Sequence, residues 1–336
     1  MSEQGAASDS AEDRLIARYF RPLATHAGAF GLIDDAAAIA PPPGCDLVLK
    51  ADAIVGGVHF FPDDDPGTVA RKALRVNLSD LAAKGAAPIG FLLSLALPRD
   101  IEDRWLAAFA AGLGEDARSY NCPLFGGDTV RSPDAVMVSI AVFGAVPHGR
   151  MLMRGGAQAG DALVVTGTIG DAALGLALRG GAATQWRLDE AGRKYLVGRY
   201  LLPQPRNAAA AALRRHASGG MDVSDGLAGD LAKMCRAAGV SADVDVAHVP
   251  LSAPARAVLA AEPGLVETVL TGGDDFEVLA SVPESELEAL RVEASGAGVE
   301  VTPIGRFVAA GSDGPRALFL SGGRPLTFAR PSYSHF

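Results

Sequence analysis

Phe91-Leu-Leu-Ser-Leu-Ala-Leu97 is an almost wholly apolar run of strand length, and helical spacing is found on both sides of it, over residues 66–85 and 101–120. A strand held between two helices points to an α/β layered domain. Outward from it, residues 46–52 (DLVLKAD) and 136–146 (VMVSIAVFGAV) also read as strands. Leu15, Ile16, Tyr19, Phe20 and Leu23 mark one stripe of a helix over residues 12–26. Residues 1–12 are small and polar and are expected to be a disordered tail. The basic, glycine-rich stretch HGRMLMRGGAQAG at 148–160 then joins this half to a second. The second half opens with a strand at 162–167. Helices follow near 170–179, 190–200, 205–216 and 226–239, then a strand at 276–282 and a helix at 284–296. The reading is therefore two α/β domains, residues 13–148 and 149–336, as a chain of 336 residues also suggests.

Composition narrows the function classes. Thirty Lys and Arg against 39 Asp and Glu leave a net charge of −9, which argues against non-specific binding to nucleic acid or an anionic membrane. No apolar stretch reaches about 18 residues, and the first residues lack a basic start followed by an apolar core. Cys45, Cys122 and Cys235 are odd in number and far apart, which favours a reducing compartment over a disulfide framework. A cytoplasmic protein is expected.

The informative residues are aspartates at strand ends and helix starts, beside glycine or small neighbours. They are Asp34-Asp35, Asp52, Asp128 in Phe125-Gly-Gly-Asp-Thr, Asp222 and Asp225 in Met221-Asp-Val-Ser-Asp-Gly-Leu, and Asp274-Asp275 in Thr271-Gly-Gly-Asp-Asp-Phe-Glu. Taken singly, each reads equally as a turn residue or helix cap. As a set converging on one cleft they would repel one another unless cations were bound, and oxygen-only ligands favour Mg²⁺. Asp80 differs, because Asn77, Asp80 and Lys84 form a polar stripe on an otherwise apolar helix. That stripe faces either water, which periodicity alone favours, or a polar site.

Mg²⁺ on carboxylates usually has phosphate as its other partner, yet no P-loop is present. Backbone N–H groups in the turns before Asp128 and Asp274, and at the helix start Asp225-Gly226, are candidate phosphate donors. Ser224 reads as a helix cap, a nucleotide contact, or both. Arg154 reads either as a phosphate fork or as a solvated linker residue. His59, alone in Gly56-Gly-Val-His-Phe-Phe-Pro, reads as a structural residue or, from its nearness to Asp52, as a substrate contact. No Ser-His-Asp or Cys-His arrangement supports covalent catalysis.

These motifs resemble the thiamine-monophosphate kinases, a family grouped with aminoimidazole ribonucleotide synthetase, selenophosphate synthetase and the hydrogenase maturation dehydratase. The resemblance runs from about residue 14 to the end. It is carried by Asp34-Asp35-Ala-Ala, Gly56-Gly-Val-His-Phe-Phe-Pro-Asp, Lys72-Ala-Leu-Arg-Val-Asn-Leu-Ser-Asp80-Leu-Ala-Ala, Gly126-Gly-Asp-Thr, Val165-Thr-Gly-Thr-Ile-Gly-Asp, Asp222-Val-Ser-Asp-Gly-Leu, Thr271-Gly-Gly-Asp-Asp-Phe-Glu and a Tyr333-x-His-Phe ending.

The resemblance implies transfer of the γ-phosphoryl group of ATP to thiamine monophosphate, giving thiamine diphosphate. It implies a homodimer in which the N-terminal sheet forms a barrel with its partner's, and ATP with several Mg²⁺ between the two domains. By position, Asp35, Asp52, Asp80, Asp128, Asp222 and Asp225 are then metal ligands. Gly127, Asp128, Arg154 and Ser224 contact ATP, and His59, Asp274 and Tyr333 contact thiamine monophosphate. Such chemistry needs alignment and charge neutralisation more than a base.

Three positions depart from the family pattern. Lys50 and Ala51 stand where hydroxyl residues are usual before Asp52, and Ile33 where glycine is common before the Asp-Asp pair. Lys50 is read as supplying positive charge in place of a lost Mg²⁺ ligand. The rival readings are another ATP-using enzyme of the superfamily, and a degenerate relative that binds ligand without catalysis.

Overall fold

The computed structural model describes residues 10–181 and 186–333. The chain divides into two compact units. Unit 1 comprises Met1–Pro43, Leu49–Asn77 and Pro88–Phe143; unit 2 comprises Gly44–Val48, Leu78–Ala87 and Gly144–Phe336. Among the described residues no helix is long and apolar enough to cross a membrane.

The first sheet has four strands, β1 (Cys45–Val55), β2 (Ala87–Leu97), β3 (Leu124–Arg131) and β4 (Met137–Pro147), in the order β1-β4-β2-β3. The apolar run 91–97 lies in β2, and β3 pairs with it in parallel. Alternation decides the faces. Phe91, Leu93 and Leu95 are buried, whereas Leu92, Leu47 and Leu49 on β1 and Met137 on β4 are exposed. One face therefore packs inward and the other presents apolar side chains to the outside.

A short helix, α1 (Ala11–Leu15), begins unit 1; Ser10 accepts from the Asp13 N–H and Asp13 returns the bond, a capping box. Residues 10–12, placed in the tail by the sequence reading, are thus ordered. The expected helix to His26 instead continues as a π-turn over Ile16–Phe20 and a 3₁₀ turn over Arg21–Leu23, where Pro22 cannot extend an α-helical ladder. The main helices are α2 (Pro66–Ala83) and α3 (Asp103–Ser119). They meet glycine to glycine, since a Cβ on Gly112 would lie 2.5 Å from the Gly67 Cα. Buried Asp116 on α3 accepts from the Arg75 Nε at 2.5 Å and the Arg71 Nε at 3.1 Å.

Unit 2 holds a seven-stranded sheet of β5 (Ala162–Thr166), β6 (Gly219–Val223), β7 (Val240–Asp245), β8 (Glu277–Val282), β9 (Val301–Ala309), β10 (Ala317–Ser321) and β11 (Arg324–Pro325). Its order is β11-β10-β7-β9-β5-β8-β6. Only β10 and β7 pair in parallel; the other described pairings of this sheet are antiparallel. β5 is buried throughout, and its side chains alternate between two cores. Leu163 and Val165 join one core with α4 (Asp171–Arg179), α5 (Glu190–Leu201) and α7 (Leu227–Ala238). Ala162 and Val164 join the other with α6 (Ala210–His216) and α10 (Leu287–Gly296). The helices α8 (Ala253–Ala261) and α9 (Val266–Thr271) complete the unit. Helices thus cover both sheet faces.

Candidate functional site

In unit 1, Asp52 stands on the edge strand β1. Its N–H donates to the Asn77 Oδ1 at 2.9 Å, while the Asn77 Nδ2 donates to the Ala73 carbonyl at 3.0 Å. Asn77 is fully buried, so at this position the polar stripe of α2 serves the sheet and not water. Lys50, two residues back and on the same side of β1, places its Nζ 3.2 Å from the Asp52 Oδ1, and both side chains remain more than a third exposed (34% and 40%). After β1 the chain turns through His59, whose Nδ1 accepts from the Val55 N–H at 3.0 Å. In the neutral ring that bond leaves the proton on Nε2. The buried Lys72 ammonium donates to the His59 carbonyl at 3.0 Å.

Gly127 pairs with Leu93, and a Cβ there would sit 1.8 Å from the Leu93 carbonyl oxygen, which explains the glycine. Asp128, opposite Ser94, is exposed, as is Asp35. β1 and β3 are the two edges of the sheet. Two strands, β4 and β2, therefore lie between the strand of Asp52 and that of Asp128. Unit 1 also has a cavity of about 770 Å³ lined by Phe60, Asp64 and Trp105 among others, and no assigned site residue lines it.

In unit 2, β6 carries the buried Asp222 and leads into a turn, Ser224-Asp225-Gly226, before α7. The helix starts after Gly226 without a side-chain cap, so Ser224 does not cap it. Asp230, in the first turn of α7 and 1% exposed, reaches back instead. Its Oδ2 accepts from the N–H groups of Ser224 at 2.9 Å and Asp225 at 2.8 Å, and its Oδ1 from the Lys233 Nζ at 2.8 Å. The same ammonium contacts the Asp225 carboxylate. Burial pushes the Asp230 carboxyl up, against the lowering pull of Lys233. Burial alone would lower Lys233, but contact with Asp225 and then Asp230 outweighs it and raises the ammonium.

The Gly-Gly-Asp-Asp-Phe-Glu motif locks onto this turn. The N–H groups of Asp274 and Phe276 donate to the carbonyls of Ser224 and Val223, both at 2.8 Å, and Tyr333 donates its N–H to the Asp225 carbonyl at 3.1 Å. Gly273, at φ 75°, could not carry a Cβ, which would fall 2.5 Å from the Ser224 carbonyl oxygen. Asp274 and Phe276 take left-handed φ values of 63° and 50°. The two other acids of the motif turn inward. Asp275 accepts from the Gly170 N–H at 2.9 Å, and burial holds its carboxyl well above the usual range. Glu277 is fully buried between Arg199, at 2.8 Å, and Arg206, with the Thr166 hydroxyl at 2.7 Å. Arg154 is exposed in a 3₁₀ turn, and Asp80 is half-buried on α2. Lys84, in the turn just after α2, donates to the Gly220 carbonyl at 2.8 Å.

The structure thus gathers Ser224, Asp225, Asp274 and Tyr333 around one turn, and sets Asp52 and Asp128 on separate edges. Among the described residues no group of three or more His, Cys, Asp or Glu is close enough to hold a metal. The N–H groups of Ser224, Asp225 and Asp274 are consumed within the fold, so at the expected helix start Asp225-Gly226 the Asp225 N–H is not offered to phosphate. The terminal Ser334, His335 and Phe336 of the Tyr-x-His-Phe motif lie outside the described residues. Sequence reasoning missed Asp230 and Lys233. The signal was an acid at residue 230 on the same helical stripe as Leu227, Leu231 and Met234, a buried position for a carboxylate.

Comparison with known proteins identifies the class first. Residues 33–146 match the N-terminal domain of the AIR synthase related proteins and residues 158–317 match their C-terminal domain. The chain is 41% identical over 334 residues to the thiamine-monophosphate kinase of Caulobacter vibrioides, covering 98% of this chain and 92% of that protein. It therefore belongs to the thiamine-monophosphate kinase family within that class. Among solved structures, the thiamine-monophosphate kinase of Stenotrophomonas maltophilia superposes with a TM-score of 0.80 at 35% identity, covering 93% of this chain and 96% of that one. A further structure, AaThiL complexed with AMPPCP and TMP, superposes with a TM-score of 0.76 at 28% identity, over 92% and 97% of the two chains.

Proposed function

We propose that the protein transfers the γ-phosphoryl group of ATP to the phosphate of thiamine monophosphate, giving thiamine diphosphate. The observation that carries this is near-full-length identity of 41% to a thiamine-monophosphate kinase. Residues 13–148 and 149–336 serve as the two domains of this enzyme, in keeping with the two family matches.

Donor and acceptor are both anions, and their repulsion is the obstacle. Two unit charges 4 Å apart interact by about 4 kcal/mol at an effective dielectric of about 20. The donor set fits Mg²⁺, since Asp35, Asp52, Asp80, Asp128, Asp222 and Asp225 offer only oxygen. Bound there, the cation supplies charge neutralisation and alignment of the phosphates. Gly127, Asp128, Arg154 and Ser224 are assigned to ATP. His59, Asp274 and Tyr333 are assigned to thiamine monophosphate. The acceptor phosphate is already ionised, so no general base is required.

The apolar outer face of the first sheet, with Leu47, Leu49, Leu92 and Met137 exposed, supports a homodimer through that face. The three cysteines are free, which suits a cytoplasmic setting.

Purified protein incubated with ATP, Mg²⁺ and thiamine monophosphate tests the reading. Thiamine diphosphate is the expected product. Nucleotide binding without that product rejects the kinase assignment and favours a degenerate relative. ATP consumption that does not depend on thiamine monophosphate points to another activity of the class.

A further inference from the structure

Asp230 occupies a position where a carboxylate is costly. It lies on the buried stripe of α7 with Leu227, Leu231 and Met234 and is 1% exposed. A buried charge persists only when donors surround it, and here the donors are the Lys233 ammonium and two backbone N–H groups from the preceding turn. The consequence for that turn is complete. The N–H groups of Ser224 and Asp225 go to Asp230, and their carbonyls go to Asp274 and Tyr333. Both N–H groups are engaged, so neither residue donates a backbone hydrogen bond to a ligand, and the Ser224 hydroxyl and the Asp225 carboxylate are the side-chain groups that meet one. Lys233 sits differently. It bridges Asp225 and Asp230 while 29% exposed, so its ammonium can leave the Asp225 carboxylate without unburying anything.

We propose that Asp230 is a positioning residue that holds the Ser224-Asp225 turn in its ligand-presenting form, and that Lys233 is an exchangeable counter-cation which a divalent ion displaces from Asp225. The inference rests on the assignment of that turn to nucleotide and metal in the functional reading above. Asp230 touches neither reactant. It acts through two N–H groups, so an acceptor oxygen at this place preserves its role and a methyl group abolishes it. Lys233 competes with the divalent ion for one carboxylate, so removing its charge favours the ion.

Three measurements test this. In the wild-type protein, amide hydrogen exchange at Ser224 and Asp225 is expected to be slow with and without nucleotide; exchange at the rate of an open loop in the free protein overturns the clamp, whatever the variants do. Binding of a fluorescent, non-hydrolysable ATP analogue with Mg²⁺ is expected to weaken at least about tenfold in Asp230→Ala, the loss of one charge-assisted hydrogen bond, and less than threefold in Asp230→Asn. Equal affinity in folded Asp230→Ala and wild type overturns the positioning role. Mn²⁺ titration of nucleotide-free protein by electron paramagnetic resonance is expected to show tighter binding in Lys233→Met. Unchanged or weaker binding overturns the counter-cation role. A wild type that binds the analogue but forms no thiamine diphosphate removes the kinase reading and leaves the exchange and Mn²⁺ results to decide the inference.

Discussion

Asp52 and Asp225 carry the same assignment and each meets a lysine, yet their surroundings are opposite. Asp52 lies on a sheet edge, half-exposed, with Lys50 two residues away on the same strand and its backbone N–H tied to Asn77. Asp225 sits in a turn whose carbonyl and N–H groups are bonded to Tyr333 and to the buried Asp230. The strand delivers its carboxylate through regular geometry that any two-residue repeat provides. The turn needs residues from three separate parts of the chain. Strand sites are therefore readable from local sequence, whereas turn sites depend on partners the sequence does not place nearby.

The strongest way to break this comparison is to neutralise the carboxylates. Asp52→Asn and Asp128→Asn are each expected to lower turnover at least about 100-fold, beyond the effect of losing a residue that only orients a ligand, while thermal melting stays near wild type. Near-normal turnover in both variants would remove the metal assignment. Next comes the scaffold behind the turn. Glu277→Ala leaves Arg199 and Arg206 without their shared carboxylate in a fully buried place, and is expected to destabilise the fold by about 3–5 kcal/mol, read by denaturant unfolding. An equivalent cut at the sheet, Leu49→Asp on its exposed apolar face, is expected to yield a monomer by light scattering; a monomeric wild type rejects that interface.

Smaller effects sharpen the contrast between the two lysines. Lys50→Thr is expected to raise the number of Mg²⁺ ions bound with nucleotide, counted by equilibrium dialysis, and an unchanged count rejects the view that Lys50 replaces a metal contact. The smallest effect lies away from the site, at His216. Burial lowers its pKa, but Glu286 and Glu293 outweigh burial and raise it above the usual histidine value of 6.5. With the folded value above the unfolded one, the stabilisation is full at acidic pH and is lost as pH rises through the folded pKa. Wild type should therefore lose more stability than His216→Gln as pH rises from 6 to 8, and parallel curves would exclude the effect.

Much of the fold was legible where periodicity was long. Helix α2, the end of strand β2 and the starts of α4 and α7 lie within a residue or two of expectation, because their apolar spacing persists over several turns or pleats. The strands β7, β9 and β10 were not foreseen, since runs of this length between glycines look alike whether they form strand or loop. The antiparallel pairing of the second sheet was equally hidden, because connection length alone does not fix strand direction. At the site, residue types pointed to cation and phosphate chemistry, but not to how backbone groups are used. Ser224 and Asp274 show why: whether an N–H faces phosphate or a neighbouring carbonyl depends on contacts from Asp230 and the turn itself, far from local spacing.

The left-handed backbone at Asp274 carries one more consequence, for anyone engineering this protein. A side chain in that region costs up to about 1–2 kcal/mol, least for Asp and Asn, and glycine escapes the penalty. Selection for heat resistance alone would be drawn toward Asp274→Gly and would discard a carboxylate assigned to the thiamine substrate. Screens for robust variants should score product formation alongside melting at this codon, or they will enrich sturdier proteins that have lost their purpose.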